Sequence, residues 1–581
     1  MRKPISASFV KFLATSSVIR LPTRVPRARR RRAFRVVCKS ATWAINATRS
    51  TGCSGMSSST STAFSGAIVA EAEVLNLVPP SRVGTGICFL DHMIDQLTSH
   101  GQVGVTLRCG VVHASPEVTS SSNKRAAPSS PTSFFAPLKD YATDQTARPH
   151  DRDIFIAAGT ALGAALRRVV EEVASEAVKS QASSHGAAAV FCCPLDEAFA
   201  EAILDLQPQD ATRRGRCVVS LEPYGRFAGG PSGRKWIGRY RTEHTPLFWE
   251  SLTAALGADL VLRRVRGGNA HHVIESAFKS FARAFRAALD SMADGLPHGC
   301  ASPSAGPAAP AVQPRQPRTA ERRRATKETT IEVRVNLDAP WLDADAPKGG
   351  GSAWTGEVMT ATKLHASVRH TSRVATGITV LDRVLTELAR AAGIEMIVHC
   401  EGDRYIDDHH SAEDVAITLG QCLHEALGDK AGLARMGCAE GEYGSARVRA
   451  VLDLSNRPHF CSDLSLDEEF VGGLGAEGTT GAPAGGGAGS DGEPGEAPAP
   501  ADVLCGNVLS CEMLFHVFDS LSLEMRSTCH LEALADPGSP GHTLALALAA
   551  AEAYGAALSR AIRIDPRRRG TVASSKGTLS K

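Results

Sequence analysis

Two short stretches of this 581-residue chain concentrate the residue types that hold metal ions and move protons. One is Asp407-Asp408-His409-His410-Ser411-Ala412-Glu413-Asp414. If Ser411 onward is helical, His409 and Glu413 lie four apart on one face, with His410 three from Glu413. Two imidazoles and a carboxylate form a mixed N/O donor set suited to a borderline divalent ion such as Mn, Fe or Zn. The adjacent aspartates could orient the imidazoles. Alone, such a cluster reads equally well as an acidic helix start. The second stretch, Gly268-Asn269-Ala270-His271-His272-Val273-Ile274-Glu275, repeats the His-His-x-x-Glu spacing at the opening of another helical segment. That repetition favours metal binding.

The elements that must position these residues follow from hydrophobic periodicity. Helices are expected over 91–99, 154–173, 273–289, 413–427 and 544–562, and strands over 103–107, 332–337 and 394–400. The halves of the chain echo one another. Gly84-Thr85-Gly86-Ile87-Cys88-Phe89-Leu90-Asp91 matches Ala375-Thr376-Gly377-Ile378-Thr379-Val380-Leu381-Asp382, and Ala202-Ile203-Leu204-Asp205-Leu206 matches Ala450-Val451-Leu452-Asp453-Leu454. The pattern is that of an α+β protein with two tandem copies. The first copy is placed at 66–292, with a low-complexity insertion at about 114–149. A Pro/Ala-rich linker follows at 293–320, and the second copy runs from 321 to 581 with an insertion at about 471–501.

The net charge of +3 conceals a biased N-terminus, because the first acidic residue is Glu71 and Arg29–Arg32 is an unbroken arginine run. An acid-free, Arg- and Ser-rich leader reads as an organelle transit peptide cleaved between about Cys38 and Ser65, with 1–65 lying outside the folded copies. The rival, a basic arm for nucleic acid, rests on that segment alone, so no nucleic-acid partner is expected. No membrane partner is expected either, since the Ala-rich run near 545–557 contains Glu552 and reads as a buried or half-buried helix. The fifteen cysteines show no CxxC spacing and read as free thiols in a reducing compartment.

These motifs together resemble the imidazoleglycerol-phosphate dehydratase family. The first copy keeps Phe89-Leu90-Asp91-His92-Met93-Ile94-Asp95-Gln96, His100, Pro194-Leu195-Asp196-Glu197-Ala198, and His271, His272, Glu275 and Lys279. Where the acidic double-histidine motif belongs it has Asp151-Arg152-Asp153-Ile154-Phe155-Ile156. The second copy keeps Lys327-Glu328-Thr329, the 407–414 motif and Gly428-Asp429-Lys430-Ala431-Gly432-Leu433-Ala434-Arg435. It also keeps Asp453-Leu454-Ser455-Asn456-Arg457-Pro458, Thr528-Cys529-His530 and a basic tail through Ser574-Ser575-Lys576. It has Arg383 at the Leu-Asp-His position, and only His542 near the second double histidine.

The resemblance implies a fold of two dehydratase-like units, each a duplicated half-domain of a small mixed sheet backed by helices, similar to domain 2 of ribosomal protein S5. It implies loss of water from imidazole glycerol phosphate to give imidazole acetol phosphate, at a site holding two Mn2+ ions. The ligands would be His92, His271, His272 and Glu275 from one copy and His409, His410, Glu413 and His530 from the other, each present once. Glu328, Glu275 and Glu413 would be the catalytic carboxylates. Substrate would touch Glu328, His92, Gln96, His100, Lys279, Arg435, Arg457, Ser574, Ser575 and Lys576. A plastid location and a homo-oligomer of roughly twelve chains complete the expectation. The alternative is a catalytically inactive, metal-binding partner of a separate intact dehydratase.

Overall fold

The computed structural model describes residues 46–49, 59–76, 81–112, 135–137, 151–179, 187–206, 215–225, 233–293, 318–339, 373–404, 406–472, 508–539, 541–568, 570–574 and 579. The leader to about residue 45 lies outside them, as do Ser575, Lys576 and most of the linker and both insertions.

One unit, built four times, accounts for the described chain. The first has β1 (Asn46–Arg49), β2 (Ser59–Ser65), β3 (Ile68–Asn76), β4 (Arg82–Gly84), α1 (Cys88–Gly101), β5 (Gly104–Val112), β6 (Phe135–Pro137) and α2 (Asp151–Lys179). The second has β7 (Ala187–Leu195), β8 (Ala198–Leu206), β9 (Cys217–Ser220), the short pair β10 (Trp236–Ile237) and β11 (Tyr240–Arg241), α3 (Thr245–Leu256), β12 (Ala258–Arg266) and α4 (Ala270–Ala293). The third has β13 (Thr319–Ala325), β14 (Thr329–Asn336), β15 (Arg373–Ala375), α5 (Thr379–Ala392), β16 (Glu395–Gly402) and α6 (His409–Leu427). The fourth has β17 (Met436–Tyr443), β18 (Ala446–Asp453), β19 (His459–Ser462), α7 (Cys511–Glu524), β20 (Thr528–Ala535) and α8 (His542–Ile562).

Each unit has the same sheet path: β2-β3-β5-β4, β7-β8-β12-β9, β13-β14-β16-β15 and β17-β18-β20-β19. The last strand in each path pairs parallel with its neighbour and the others pair antiparallel. The α+β duplication expected from sequence is therefore a fourfold repeat of small mixed sheets. One boundary shifts. Residues 59–65, assigned to the leader, form β2 and pair with β3, because the two-residue turn at Gly66 (φ +56°) closes a hairpin.

The Thr-Gly-Ile repeat shows why these helices start where they do. Asp91 Oδ1 accepts hydrogen bonds from Thr85 N (2.7 Å) and Thr85 Oγ1 (2.6 Å), and Asp382 does the same for Thr376 at 2.7 and 2.6 Å. Between them Gly86 (φ +84°) and Gly377 (φ +82°) take a left-handed conformation that favours glycine. The loop thus fixes the first turns of α1 and α5 in identical fashion.

Each copy has its own core. One gathers Ile68, Leu90, Phe155, Trp249 and Phe281, the other Ile331, Leu381, Leu419, Phe518 and Tyr554. α8 is long and apolar enough to cross a membrane by length and composition, but 72% of its apolar window is buried within the second core. Between the copies runs a seam where β7 meets the β17–β18–β20 face, with a small cluster of Cys192, Phe199 and Val451 at its centre. Ion pairs cross it. Arg449 Nη1 meets Glu201 at 2.8 Å, Arg266 meets Asp463 at 2.7 Å and Arg567 meets Asp290 at 2.8 Å.

Candidate metal centre and active site

α1 and α4 bring His92, His271 and Glu275 together. Asn269 caps α4, its Oδ1 accepting from His271 N at 2.9 Å. The first turn then points His271 back over Glu275, Nε2 to Oε2 2.9 Å, and His92 Nε2 reaches the same oxygen at 3.7 Å. The three ligand atoms lie within 4.8 Å of one another. Phe89 packs edge-on against His271 at 4.9 Å and holds its ring in place. Burial alone would push the Glu275 carboxyl up. The Lys279 ammonium and hydrogen bonds from His271, His92 and Lys279 overcome this and hold it well below the usual carboxylate range. Its other oxygen, Oε1, takes the Lys279 ion pair at 2.7 Å.

α6 and α7 bring together a second, looser set of the same residue types, with each imidazole on a different oxygen of the carboxylate. Asp407 caps the start of α6 by accepting from His409 N at 3.0 Å. Asp408 accepts from Ser510 N (2.6 Å) and Ser510 Oγ (2.9 Å), which ties the two helix starts together. That tie carries His516 to Glu413. His516 Nε2 lies 3.0 Å from Oε1, and His409 Nε2 lies 3.4 Å from Oε2. Both clusters are two imidazoles and one carboxylate, the donor set that suits a borderline divalent ion.

The second histidine of each pair turns the other way. His272 Nδ1 is bound to Glu197 Oε2 at 2.8 Å and His410 Nδ1 to Asp403 Oδ2 at 3.1 Å. A carboxylate on Nδ1 fixes the ring and leaves Nε2 as the donor atom, as partners of metal-bound imidazoles commonly do. Asp196 Oδ2 (3.9 Å) is near His272 Nε2, and Glu328 Oε1 (4.0 Å) is near His410 Nε2. Among the described residues, no hydrogen bond or ion pair joins the His271 cluster to the His409 cluster.

His530 does not belong to either cluster. It has no exposed surface, and its Nε2 meets Asp196 O at 2.6 Å across the seam. Burial and the nearby Arg266 and His459 charges lower it to about 3. The strand that carries it faces the other copy, and sequence could not show this. His516 was missed. Asp519-Ser520-Leu521 matches Glu250-Ser251-Leu252, which sets His516 against Leu247 on equivalent helices. That histidine-for-leucine difference was the available signal.

Behind the His271 cluster lies a pocket of cations at the seam. His100 is buried on α1, with Lys279 and Arg283 from the first copy and Arg435 and Arg568 from the second around it. Burial and then those four charges hold the His100 imidazole well below its ordinary value. Burial and the neighbouring Arg283 lower Arg568 to about 9. Crowded like charges of this kind are relieved by an anion. Gln96 is buried beside them on the same helix. Arg457 pairs with Asp196 across the seam. Arg435, expected to touch substrate, has Nε and Nη2 on Asp453 at 2.7 Å each and Nη1 on Ala573 O. It anchors the chain next to Ser574 and has few donors left for a ligand.

A family model described as imidazoleglycerol-phosphate dehydratase matches residues 151–285 and 376–481, one stretch in each copy. An imidazoleglycerol-phosphate dehydratase from Trichoderma harzianum is 40% identical over 220 residues, covering 37% of this chain and 85% of that protein. The Gloeobacter violaceus protein is 32% identical over 264 residues, covering 45% of this chain and all of its own. A chloroplastic imidazoleglycerol-phosphate dehydratase from Triticum aestivum is also 32% identical, over 45% of this chain and 73% of its own length. A Pyrococcus furiosus imidazoleglycerol-phosphate dehydratase structure aligns over 44% of this chain and all of its own, at 24% identity and a TM-score of 0.27. Each of these sequence relatives spans about one copy's worth of this chain. With two regions matched and relatives covered nearly end to end, the chain belongs to the imidazoleglycerol-phosphate dehydratase family of hydro-lyases, as two tandem copies.

Proposed function

We propose that the chain removes water from imidazole glycerol phosphate to give imidazole acetol phosphate, at sites that hold Mn2+. The observation that carries this reading is the shared carboxylate of Glu275. One oxygen faces His92 and His271, and the other faces Lys279, one of the cations buried at the seam. A metal position and an anion position are therefore adjacent, as an imidazole with a phosphate tail requires. The imidazole–carboxylate donors fit Mn2+, and His92, His271 and Glu275, with His409, Glu413 and His516, would hold it. When bound, such ions stabilise the substrate imidazole as its anion and let it take up electron density as the hydroxyl leaves.

The chain's own groups divide the remaining work. Glu275 is tied by Lys279 and two imidazoles, and Glu413 by His409 and His516, so both suit ligation rather than proton transfer. Glu328 stands half-exposed at the turn before β14, held there by Thr326 Oγ1, which accepts from Glu328 N at 3.1 Å. It is the carboxylate placed to move the proton. Lys279, His100, Arg457, Arg568 and the 570s tail bind the phosphate.

Each cluster offers three ligands, and each outward Nε2, on His272 and His410, offers one more. We take the fourth ligand of each site to come from a neighbouring copy of the chain: His410 for the His271 cluster and His272 for the His409 cluster. An assembly of roughly twelve chains, each with two copies, would be closed by such contacts. A plastid location, with the leader removed, accords with the chloroplastic name of the wheat relative.

The test is the purified chain from about Ala44, which keeps β1 and β2, loaded with Mn2+ and assayed for imidazole acetol phosphate. Turnover that disappears on chelation and in His271→Ala supports the proposal. Metal binding without turnover, together with failure to support growth without histidine in cells lacking the dehydratase, would mark the chain as an inactive partner.

A further inference from the structure

The seam carries a thiol pair for which the reaction has no use. Cys192 sits on β7 of the first copy and Cys438 on β17 of the second. Cys438 packs across the seam against the small apolar cluster of Cys192, Phe199 and Val451, where Cys192 Sγ lies 3.9 Å from Glu201 Oε1. Both cysteines are free thiols. Cys192 has no exposed surface, whereas Cys438 is half-buried. Arg449 stands beside them, fixed by Glu201 at 2.8 Å and Glu440 at 2.9 Å.

The neighbouring Cys192 thiol draws the Cys438 thiol below its ordinary range, against burial and with the help of the Arg449 charge. The same neighbour, then burial, pushes Cys192 up. The adjacent Cys193 differs. Its Sγ contacts Met436 Sδ at 3.4 Å and Pro194 O at 3.7 Å, and burial pushes it up to about 12.

We propose that Cys192 and Cys438 are a redox modification site, forming a reversible disulfide that fastens one copy to the other. The oxidant is a disulfide of the glutathione class. Cys438 thiolate attacks one sulfur of it, the external S–S bond breaks, and one thiolate leaves, giving a mixed disulfide on Cys438. Cys192 then loses its proton and attacks the Cys438 sulfur, expelling the second external thiolate. Two protein thiols and one external disulfide become one protein disulfide and two external thiols, whose protons come from the cysteines. The side chains already pack together, and a disulfide brings the sulfurs to ~2 Å. The loop closed, from residue 192 to residue 438, is long, so the bond strongly restrains the unfolded chain.

The experiment incubates the full chain with oxidised glutathione, denatures it in an alkylating agent and maps its peptides. The expected result is two fewer alkylated cysteines per chain and a linked peptide whose fragments place the bond on Cys192 rather than Cys193. Dithiothreitol should remove it, and the thermal midpoint should rise by roughly 5 °C on oxidation. Cys192→Ser should trap glutathione on Cys438, and Cys438→Ser should show neither adduct nor link. Full alkylation of both wild-type cysteines, a link between other cysteines, or glutathione left on wild-type Cys438 without a link would overturn the proposal. The wild-type map decides even where the serine variants do not fold.

Discussion

α2 and α6 occupy the same place in their half-units, yet only α6 opens on a double histidine with a carboxylate. Gly163 and Gly420 fall at equivalent crossings, against Leu252 O and Leu521 O on the matched helices α3 and α7. Counting back from them sets Arg152 against His409, Asp153 against His410 and Ile156 against Glu413. In α2 the polar groups are consumed locally. Arg239 holds Asp151 at 2.9 Å, Ser65 donates to Asp153 at 2.6 Å, and Phe155 packs on Tyr240 at 4.9 Å and on His244 at 5.3 Å. The reverse holds at α1 and α5, where one Thr–Asp loop presents His92 in the first copy and Arg383 in the second. Residues that build the scaffold are kept twice, and the residues proposed to hold metal are kept once. A duplicated fold needs its caps and crossings in both copies, whereas one complete donor set can serve both.

The largest effect that would break this comparison is loss of a cluster histidine. His271→Ala and His409→Ala should each lower metal affinity or kcat/KM by roughly 10–100-fold or more, because the remaining donors cannot complete the coordination shell. Asp153→Ala and Arg383→Ala, at the matching degenerate positions, should stay within about threefold of wild type in the same steady-state assay, since neither touches a donor set. Equal losses at both kinds of position would erase the distinction. The two inactive histidine variants, mixed and reassembled, should recover part of the activity if donors cross between chains. The second copy alone, residues 321–581, working at full rate would make the first a structural relic.

His516 and His530 sharpen the same contrast. His516→Ala should weaken Mn2+ binding by roughly 10–100-fold, measured by titration, with little change in the unfolding midpoint. His530→Ala should leave metal affinity unchanged but lower stability by about 1–3 kcal/mol, since it removes a buried ring and strands the Asp196 carbonyl. An opposite pattern would return His530 to the metal set. Confined likewise to stability, Gly163→Ala places a Cβ 2.2 Å from Leu252 O and Gly420→Ala one 2.9 Å from Leu521 O. Each should destabilise by about 1–3 kcal/mol, more at 163 than at 420, by chemical denaturation.

What the sequence determined by itself is what local spacing encodes. The His-His-x-x-Glu stretches open α4 and α6, as their spacing and capping residues require, and the paired Thr-Gly-Ile loops announced the repeat because the Thr–Asp hydrogen bonds span only six residues. The fold was legible for the same reason, although β2 was not, since its Ser/Thr-rich strand shares the composition of the leader before it. Tertiary structure decided which histidines meet. Successive residues on a helix lie about 100° apart, so a double histidine must send one ring to the cluster and the other elsewhere. Which ring goes where was set by Glu197 and Asp403, partners that lie far off in sequence or on a separate loop. The fate of His530 and Arg435 turned on contacts more distant still. Asp196 is 334 residues from His530, and Ala573 is 138 residues from Arg435. No periodicity reports contacts of that range, because they exist only once two independently folded cores have packed along a common seam.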